Sequence, residues 1–438
     1  MKNRKKYLLF PLLLLAILAS GINRQFPGKD IAGIANAAET GFIIDDDGIL
    51  VKYNGDDTII VIPDGVTGIG DRVFYNKTNV KSIVIPDSVT TIGDKAFWNC
   101  RSLREIIIPE TVTSIGGGTF KKCLSLTEIT IPGKITAIEG AMFSGCKNLK
   151  KAVLPGSITE IKAAAFEGCQ SLAGLKLPEN LVNIADSAFS GCKSLTEIII
   201  PGNVVSVGNT AFLGCKKLAA VTIPEKTTTL GDNIFSGCTA LKKIEVKKGN
   251  KKYKSEDGVL FKQVKSGMEL IIYPAAKKGK TYKVPAKTSS IGYNAFEGCK
   301  NLTGLVLSGN LKKIEYRNGA FFNFAGLKNI KIHMKKDQKT NMYFVIDLDS
   351  EAGPAIPEIT VKNKNIARVS MPSGWKDKNS GDIDYIEPYT LKGSVKAKKK
   401  GKAEIIFKRE VVNHKKVNDK EFKLENVKLK TTVEIIVK

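Results

Sequence analysis

At 438 residues the chain is too long for one ordinary globular core, a limit that solenoids escape because they grow along one axis. Lys and Arg number 68 against 43 Asp and Glu, a formal charge of +25 that is unevenly placed. Residues 41–241 carry −1, residues 242–339 carry +16, and the two ends carry +4 (1–40) and +6 (340–438). Only two histidines occur, His333 and His414, so a histidine-based catalytic triad or a zinc cluster has almost nothing to work with.

The N-terminus opens with Lys2, Arg4, Lys5 and Lys6, followed by an apolar run from Tyr7 to Ala19 broken only by Pro11. A run this short fits a secretory signal peptide better than a membrane span, so residues 1–39 are expected to be leader and the protein secreted or displayed at the cell surface. Ala19-Ser20-Gly21 and Ala35-Asn36-Ala37 both fit the small-residue cleavage rule, and a retained anchor is the alternative. The chain ends in Glu434-Ile435-Ile436-Val437-Lys438, which reads as no sorting tail.

Residues 40–62 contain two β-rich runs around Asp and Gly turns and are expected to form a hairpin cap that shields an open strand edge. The edge belongs to a repeat. Phenylalanine recurs every 23 residues at Phe74, Phe97, Phe120, Phe143, Phe166, Phe189, Phe212 and Phe235. Proline keeps the same step from Pro63 to Pro224. Such self-similarity marks a solenoid, in which each coil buries its apolar face only against its neighbours. The predicted class is mainly β, a right-handed solenoid over residues 63–339.

Within each coil the residues before proline alternate, as in Ser82-Ile83-Val84-Ile85 and Gly174-Leu175-Lys176-Leu177. Period two points the second and fourth inward and the third outward. Proline, lacking an N–H, ends the strand. A second short β run comes next, with inward residues such as Val89 and Ile92. The slot after it is usually glycine (Gly70, Gly93, Gly116, Gly208, Gly231), yet Glu139, Lys162 and Ala185 occupy it in other coils. The segment Ala-Phe-x-Gly-Cys then predicts a single helical turn with Phe and Cys on one face.

Cys100, Cys123, Cys146, Cys169, Cys192, Cys215, Cys238 and Cys299 each follow a phenylalanine by three residues, so the eight cysteines are one column. Coils about 4.8 Å apart would put neighbours within disulfide range. A buried free-thiol column is the favoured expectation, because identical stacked side chains seldom present the required dihedral. Lys77 and Phe324 hold the equivalent slots near the ends.

The count breaks after Cys238. Residues 247–284 replace a plain coil, and their Glu256-Asp257-Gly258-Val259-Leu260 repeats the cap's Asp46-Asp47-Gly48-Ile49-Leu50, which predicts a second cap-like hairpin. From residue 340 to 438 the period disappears and alternating segments, Ile366–Ser370, Ser394–Ala397, Ala403–Phe407 and Lys428–Val437, suggest a small antiparallel β-sandwich.

The pattern L-x-x-I-x-I-P-x-x-V-x-x-I-G-x-x-A-F-x-G-C, clearest in Leu195–Cys215, resembles the BspA-like leucine-rich repeats of bacterial surface and secreted proteins, over roughly Gly41 to Lys336. The usual asparagine column is missing; Gly65, Ser88, Thr111, Lys134, Ser157, Asn180, Asn203 and Lys226 stand there. Asn365–Ser370 and Gly393–Ile405 resemble a bacterial immunoglobulin-like domain of the invasin type, although about 20 residues intervene, more than in that family. These resemblances imply surface display or secretion, with some relatives acting as adhesins for host matrix proteins, and they imply no particular ligand.

Chemistry-bearing motifs are sparse. Gly68-Ile69-Gly70 lacks a third glycine, no phosphate-binding loop occurs, and Gly116-Gly117-Gly118 reads as a corner. Asp45-Asp46-Asp47 and Asp347, Asp349, Glu351 match no ordered calcium loop and read as solvated turns. No cofactor, metal or catalytic residue is expected, leaving a carbohydrate-active enzyme with an unrecognised site as the weakest reading.

Two candidate sites remain. The outward strand column, Val61, Val84, Ile107, Thr130, Val153, Lys176, Ile199, Thr222 and Glu245, forms either a groove for a protein or glycan partner or simply residues that suit a pleated strand. Lys247, Lys248, Lys251, Lys252, Lys254, Lys277, Lys278, Lys280 and Lys283 make a candidate patch for an anionic wall polymer, the plainer alternative being solvated lysines. Nucleic acid is not expected in an exported protein, and a monomer is.

Overall fold

The computed structural model describes residues 41–308 apart from Tyr293, and beyond them the backbone of the strands as far as Val437; side chains are described up to Leu307 and at Gly401 and Lys402. The expected leader and the candidate calcium residues Asp347, Asp349 and Glu351 lie outside the described residues. The molecule is mainly β, a solenoid of about 11 turns with a spacing of about 23 residues. No helix occurs among the described residues.

At the N-terminus, Phe42–Ile44 pairs antiparallel with Ile49–Tyr53 across a turn at Asp45–Gly48. Asp45 Oδ1 accepts the N–H groups of Asp47 at 3.1 Å and Ile49 at 2.8 Å, so this carboxylate shapes the turn. Ile49–Tyr53 then runs parallel to Gly68–Ile69, so the hairpin supplies the first short strand of the stack. Ile59–Val61 pairs in parallel with Ser82–Val84 and is already the first long strand.

Most coils make two ladders with their neighbours. Short strands such as Thr91–Ile92 and Ser114–Ile115 pair in register, Ile92 opposite Ile115. Long strands pair likewise in Ser82–Val84 with Glu105–Ile107 and in Glu128–Thr130 with Lys151–Val153. Gly174–Leu177, expected as a strand, forms none, although its alternation survives: Leu175 and Leu177 are buried and Lys176 is exposed. In the next coil Glu197–Ile200 likewise forms no strand and is joined only by a bridge from Glu197 to Ala220.

The expected helical turn is replaced by successive tight turns. Phe97 donates its N–H to Thr119 of the next coil at 2.9 Å, and Phe120 and Phe143 do the same to Met142 and Ala165. These donors serve the stack, so they cannot close a helix. Two columns per coil also adopt positive φ, at Arg72, Lys95, Ala141 and Ala164, and at Asn76, Asn99, Lys122 and Gly145, a conformation that interrupts any right-handed helix.

The interior is built of columns. From Phe74 to Phe235 the rings stack with centroids 5.2–5.6 Å apart and planes within 19°. Tyr53 and Phe42 extend the column into the cap. All eight cysteines are free and buried. Cys146 donates its thiol to the carbonyl of Phe120 at 3.0 Å, and the column repeats this bond at an offset of 26 residues. Lys77, in the first cysteine slot, instead donates to the Gly55 carbonyl at 2.6 Å and lies over the Tyr53 ring, closing the column.

A further coupling runs between coils. Asp71 Oδ1 accepts the N–H of Asp94 and Asp94 Oδ1 that of Gly117, both at 2.7 Å; Asp186 and Asn209 repeat the bond to Asn209 and Asp232. A Cβ on Gly93, Gly116, Gly208 or Gly231 would collide with the Asp or Asn of the preceding coil. Where that residue is Gly117, Gly140 or Ala163, the glycine slot is free to hold Glu139, Lys162 and Ala185.

The column that usually carries asparagine is partly functional with other residues. Thr111 and Ser157 hydroxyls donate to the carbonyls of Val89 and Ile135, and Asn180 and Asn203 amides to those of Gly156 and Glu179.

Beyond Cys238 the chain forms a three-stranded meander, not a single hairpin: Tyr253–Glu256, Val259–Val264 and Gly267–Ile272 pair antiparallel. Gly267–Ile272 then runs parallel to Thr288–Ile291, restarting the short-strand ladder. Among the C-terminal strands, Asn329–Met334 pairs in parallel with Glu421–Val437, which pairs antiparallel with Gly401–Asn418, and that with Glu358–Lys362. Lys339–Val345, Thr390–Ala397 and Ala367–Ser370 form a separate antiparallel sheet.

Candidate functional site

The outward column stands where alternation places it. Ile60 and Ile62 are buried while Val61 between them is exposed, and Val61, Val84 and Ile107 lie opposite one another across adjacent strands. Among the described residues Ile199 is the most exposed large hydrophobic residue at 79%, followed by Ile107 at 57%. Val153 is exposed beside Thr130, and Lys176 and Glu245 are exposed, whereas Val84 and Thr222 are half-buried. The next row along the strands is mixed: Ile59 is exposed, and Glu128 and Lys151 face each other at 3.9 Å. The surface is thus an apolar rail with a charged flank.

The lysine-rich stretch divides differently from expectation. Lys277 is not free to meet a ligand: its ammonium donates to the Asp257 carbonyl at 2.6 Å and pairs with the Asp257 carboxylate at 2.9 Å, leaving the side chain 15% exposed. It pins the Asp257-Gly258 turn against the segment that leads back to the solenoid. Lys254 pairs with Glu256 at 2.7 Å. Lys247, Lys248, Lys251, Lys252, Lys278, Lys280 and Lys283 are exposed, without a carboxylate partner among the described residues.

Two features carry no signal in residue spacing. A cavity of about 350 Å³ lies at the break in the solenoid, where Ser236 bonds Glu297 at 2.7 Å and Asn294 bonds Asn233 at 2.8 Å, both across 61 residues. Phe235, Tyr253 and Tyr273 line it, and burial holds the Tyr273 phenol up at about 12. On the turns, Trp98 lies beside Tyr75 with centroids 5.9 Å apart. No cluster of metal-ligating side chains occurs among the described residues.

The buried thiols do not form a reactive centre. Burial pushes Cys146 up to about 12 and Cys123 well above its ordinary value, and the thiolate is the reactive form.

A model of the BspA type leucine rich repeat region matches the chain in six copies, over residues 53–173, 165–257 and 275–348. No curated protein matches it. Similar solved structures include a leucine rich cell surface protein from Faecalibacterium prausnitzii, 25% identical, over 67% of this chain and 86% of that one with a TM-score of 0.40. The leucine rich repeat protein of T. pallidum is 31% identical over 47% of this chain and 89% of its own, with a TM-score of 0.38. The pneumococcal vaccine antigen PcpA is 22% identical over 68% and 72%, with a TM-score of 0.31. With more than half of its residues matched, and with proline, phenylalanine and cysteine columns running through most of the matched coils, the chain belongs to the BspA type leucine rich repeat family.

Proposed function

We propose that the protein is an exported, non-enzymatic recognition protein, secreted or held at the cell surface, that binds a protein or glycan partner through the outward face of its long strands. The observation that carries this reading is the exposed apolar rail, with Ile107 and Ile199 projecting from a rigid stack. Membership in the BspA type family supports surface display, and the basic, apolar N-terminus supports export. A preformed sheet loses little conformational entropy on binding, so many shallow contacts add up to useful affinity. The C-terminal strands would present the solenoid as an immunoglobulin-like domain over residues 340–438.

The test replaces Ile107, Val153 and Ile199 together by serine and measures binding to immobilised matrix proteins and purified wall polymers. The partner that wild type retains should be lost by at least roughly tenfold, about 1.4 kcal/mol, with unchanged circular dichroism. Unchanged binding would refute the rail as the interface.

A second reading rests on the seven unpaired lysines of residues 247–283, which suit a structural protein tethered to an anionic wall polymer. Tethering by charge weakens steeply with salt, whereas binding through the rail does not.

A further inference from the structure

We propose a second binding site, for an acidic polysaccharide, on the turns of the first three coils, formed by Tyr75, Trp98, Lys95, Lys121 and Arg101. It lies on the turns that come after the short strands, whereas the rail lies on the long strands, so it is independent of binding through the rail.

The repeat supplies its own control. The slot after the repeat phenylalanine holds Tyr75, Trp98 and Lys121 in the first three coils, but Ser144, Glu167, Ser190, Leu213 and Ser236 afterwards. The fold therefore needs no aromatic there. The positive-φ slot two residues before the phenylalanine holds Arg72 and Lys95 in the first two coils, and later Ala141, Ala164 and Ser187. A basic residue adds nothing to the fold at that strained position.

The rings and charges meet. Trp98 packs against Gly118, whose positive φ of 62° favours glycine at that place in the third coil. Tyr75 flanks it and is 41% exposed. Lys121 and Lys95 hold their ammonium groups 4.6 and 5.6 Å from the centre of the Trp98 ring. Neither has a carboxylate partner or side-chain hydrogen bond among the described residues. Asn99 donates its amide to Asn76 at 2.6 Å and accepts from Arg101 Nε at 2.8 Å, which fixes the guanidinium at the edge of the shelf. Asp71 and Asp94, which precede Arg72 and Lys95 in the chain, are engaged with backbone N–H groups.

A half-buried indole beside an exposed phenol, with a cationic rim, suits a sugar ring that carries a carboxylate. The electron-rich face of an aromatic ring attracts the weakly positive C–H face of a pyranose. The ammonium groups then gain a charge-assisted partner stronger than the ring they rest on. A protein hot spot would instead require an enclosed, desolvated pocket, which this shelf lacks.

The test measures retention of the full chain on immobilised polygalacturonate, with neutral dextran and polyglutamate as comparison probes. Polygalacturonate should bind, and dextran and polyglutamate should bind at least roughly tenfold more weakly. Trp98→Ala and the Lys95→Gln/Lys121→Gln pair should each weaken polygalacturonate roughly tenfold, the lysine pair also flattening the salt dependence. Trp98→Phe should stay close to wild type. Lys193→Gln/Lys216→Gln, exposed lysines on later coils, and the serine triple variant of the rail should leave this binding unchanged, which separates the site from bulk charge and from the rail. Wild-type affinity in Trp98→Ala, or polyglutamate bound as tightly as polygalacturonate, would overturn the proposal.

Discussion

The regular coils up to Cys238 and the interruption after them solve the same problem by opposite means. In the coils every residue meets its own counterpart 23 residues away, so one choice serves eight times: phenylalanine stacks on phenylalanine and each thiol meets the same carbonyl. At the interruption no counterpart is available, and the contacts become singular and polar. The inward column that holds Val89, Val112 and Val204 becomes Thr227 and then Asn250. Asn250 donates to the carbonyls of Pro224 and Thr227 and accepts from the N–H groups of Lys252 and Tyr253, so one side chain turns the chain out of the repeat. Periodicity thus economises on information while the stack continues, and specific hydrogen bonding is required wherever it stops.

The broadest test of this contrast is alkaline titration, because the thiol column responds collectively. Burial raises Cys100 and Cys146 from 9.0 to about 12 and raises Cys123, Cys169 and Cys192 as well. Below pH 9.0 the thiols are protonated in both folded and unfolded chains and the stabilisation is complete. Between 9.0 and about 12 the unfolded chain releases protons that the folded chain keeps, so stability falls as pH rises. Denaturant midpoints should decline through that window, with thiolate absorbance appearing only on unfolding. A midpoint flat across the window, or rapid alkylation of native protein, would contradict a buried protonated column.

Next in size is the aromatic stack. Phe143 is fully buried between two rings at 5.6 and 5.2 Å, and its neighbours are held by their own ladders and cannot collapse inward. Phe143→Ala is expected to cost about 3–5 kcal/mol in urea denaturation. Tyr273→Ala, next to the existing cavity at the interruption, should cost less, because its two ring contacts are edge-on and tilted rather than stacked and one side of it already faces open space. Equal losses would remove the distinction between the two regions.

What the residues alone disclosed obeys the same division. The Phe and Cys columns and the outward rail are legible because they depend on spacing, and period two places Ile107 and Ile199 outside while Ile106 and Ile200 are inside. The turn geometry was not legible: Ala-Phe-x-Gly-Cys has helical spacing, but whether Phe97 donates within its turn or to Thr119 is decided by the next coil. Lys277 likewise looks like its neighbours in a lysine run, and only the return of the chain past Asp257 buries it. A signal for the glycine slot did exist, but across coils: Asp71 is followed by Gly93, Asp186 by Gly208, and Ala163 by Ala185.

That last pairing gives the smallest and most selective effect. Gly208→Ala places a methyl group against Asp186, whose Oδ1 is bonded to the Asn209 N–H at 2.7 Å, and should cost about 1–3 kcal/mol through overpacking. Asp186→Ala alone should cost about 1 kcal/mol for the lost bond. The double variant recreates the Ala163 and Ala185 arrangement found one coil earlier, so its cost should fall clearly below the sum of the two, by roughly 0.5–3 kcal/mol of coupling. Additive losses would mean that the backbone at Ala185 and Asp186, which a Cβ on Gly208 also meets, excludes the methyl group rather than the Asp186 carboxylate. A coupled loss would establish that each coil of this solenoid constrains the sequence of the next at single-residue resolution, a constraint that the interruption after Cys238 releases.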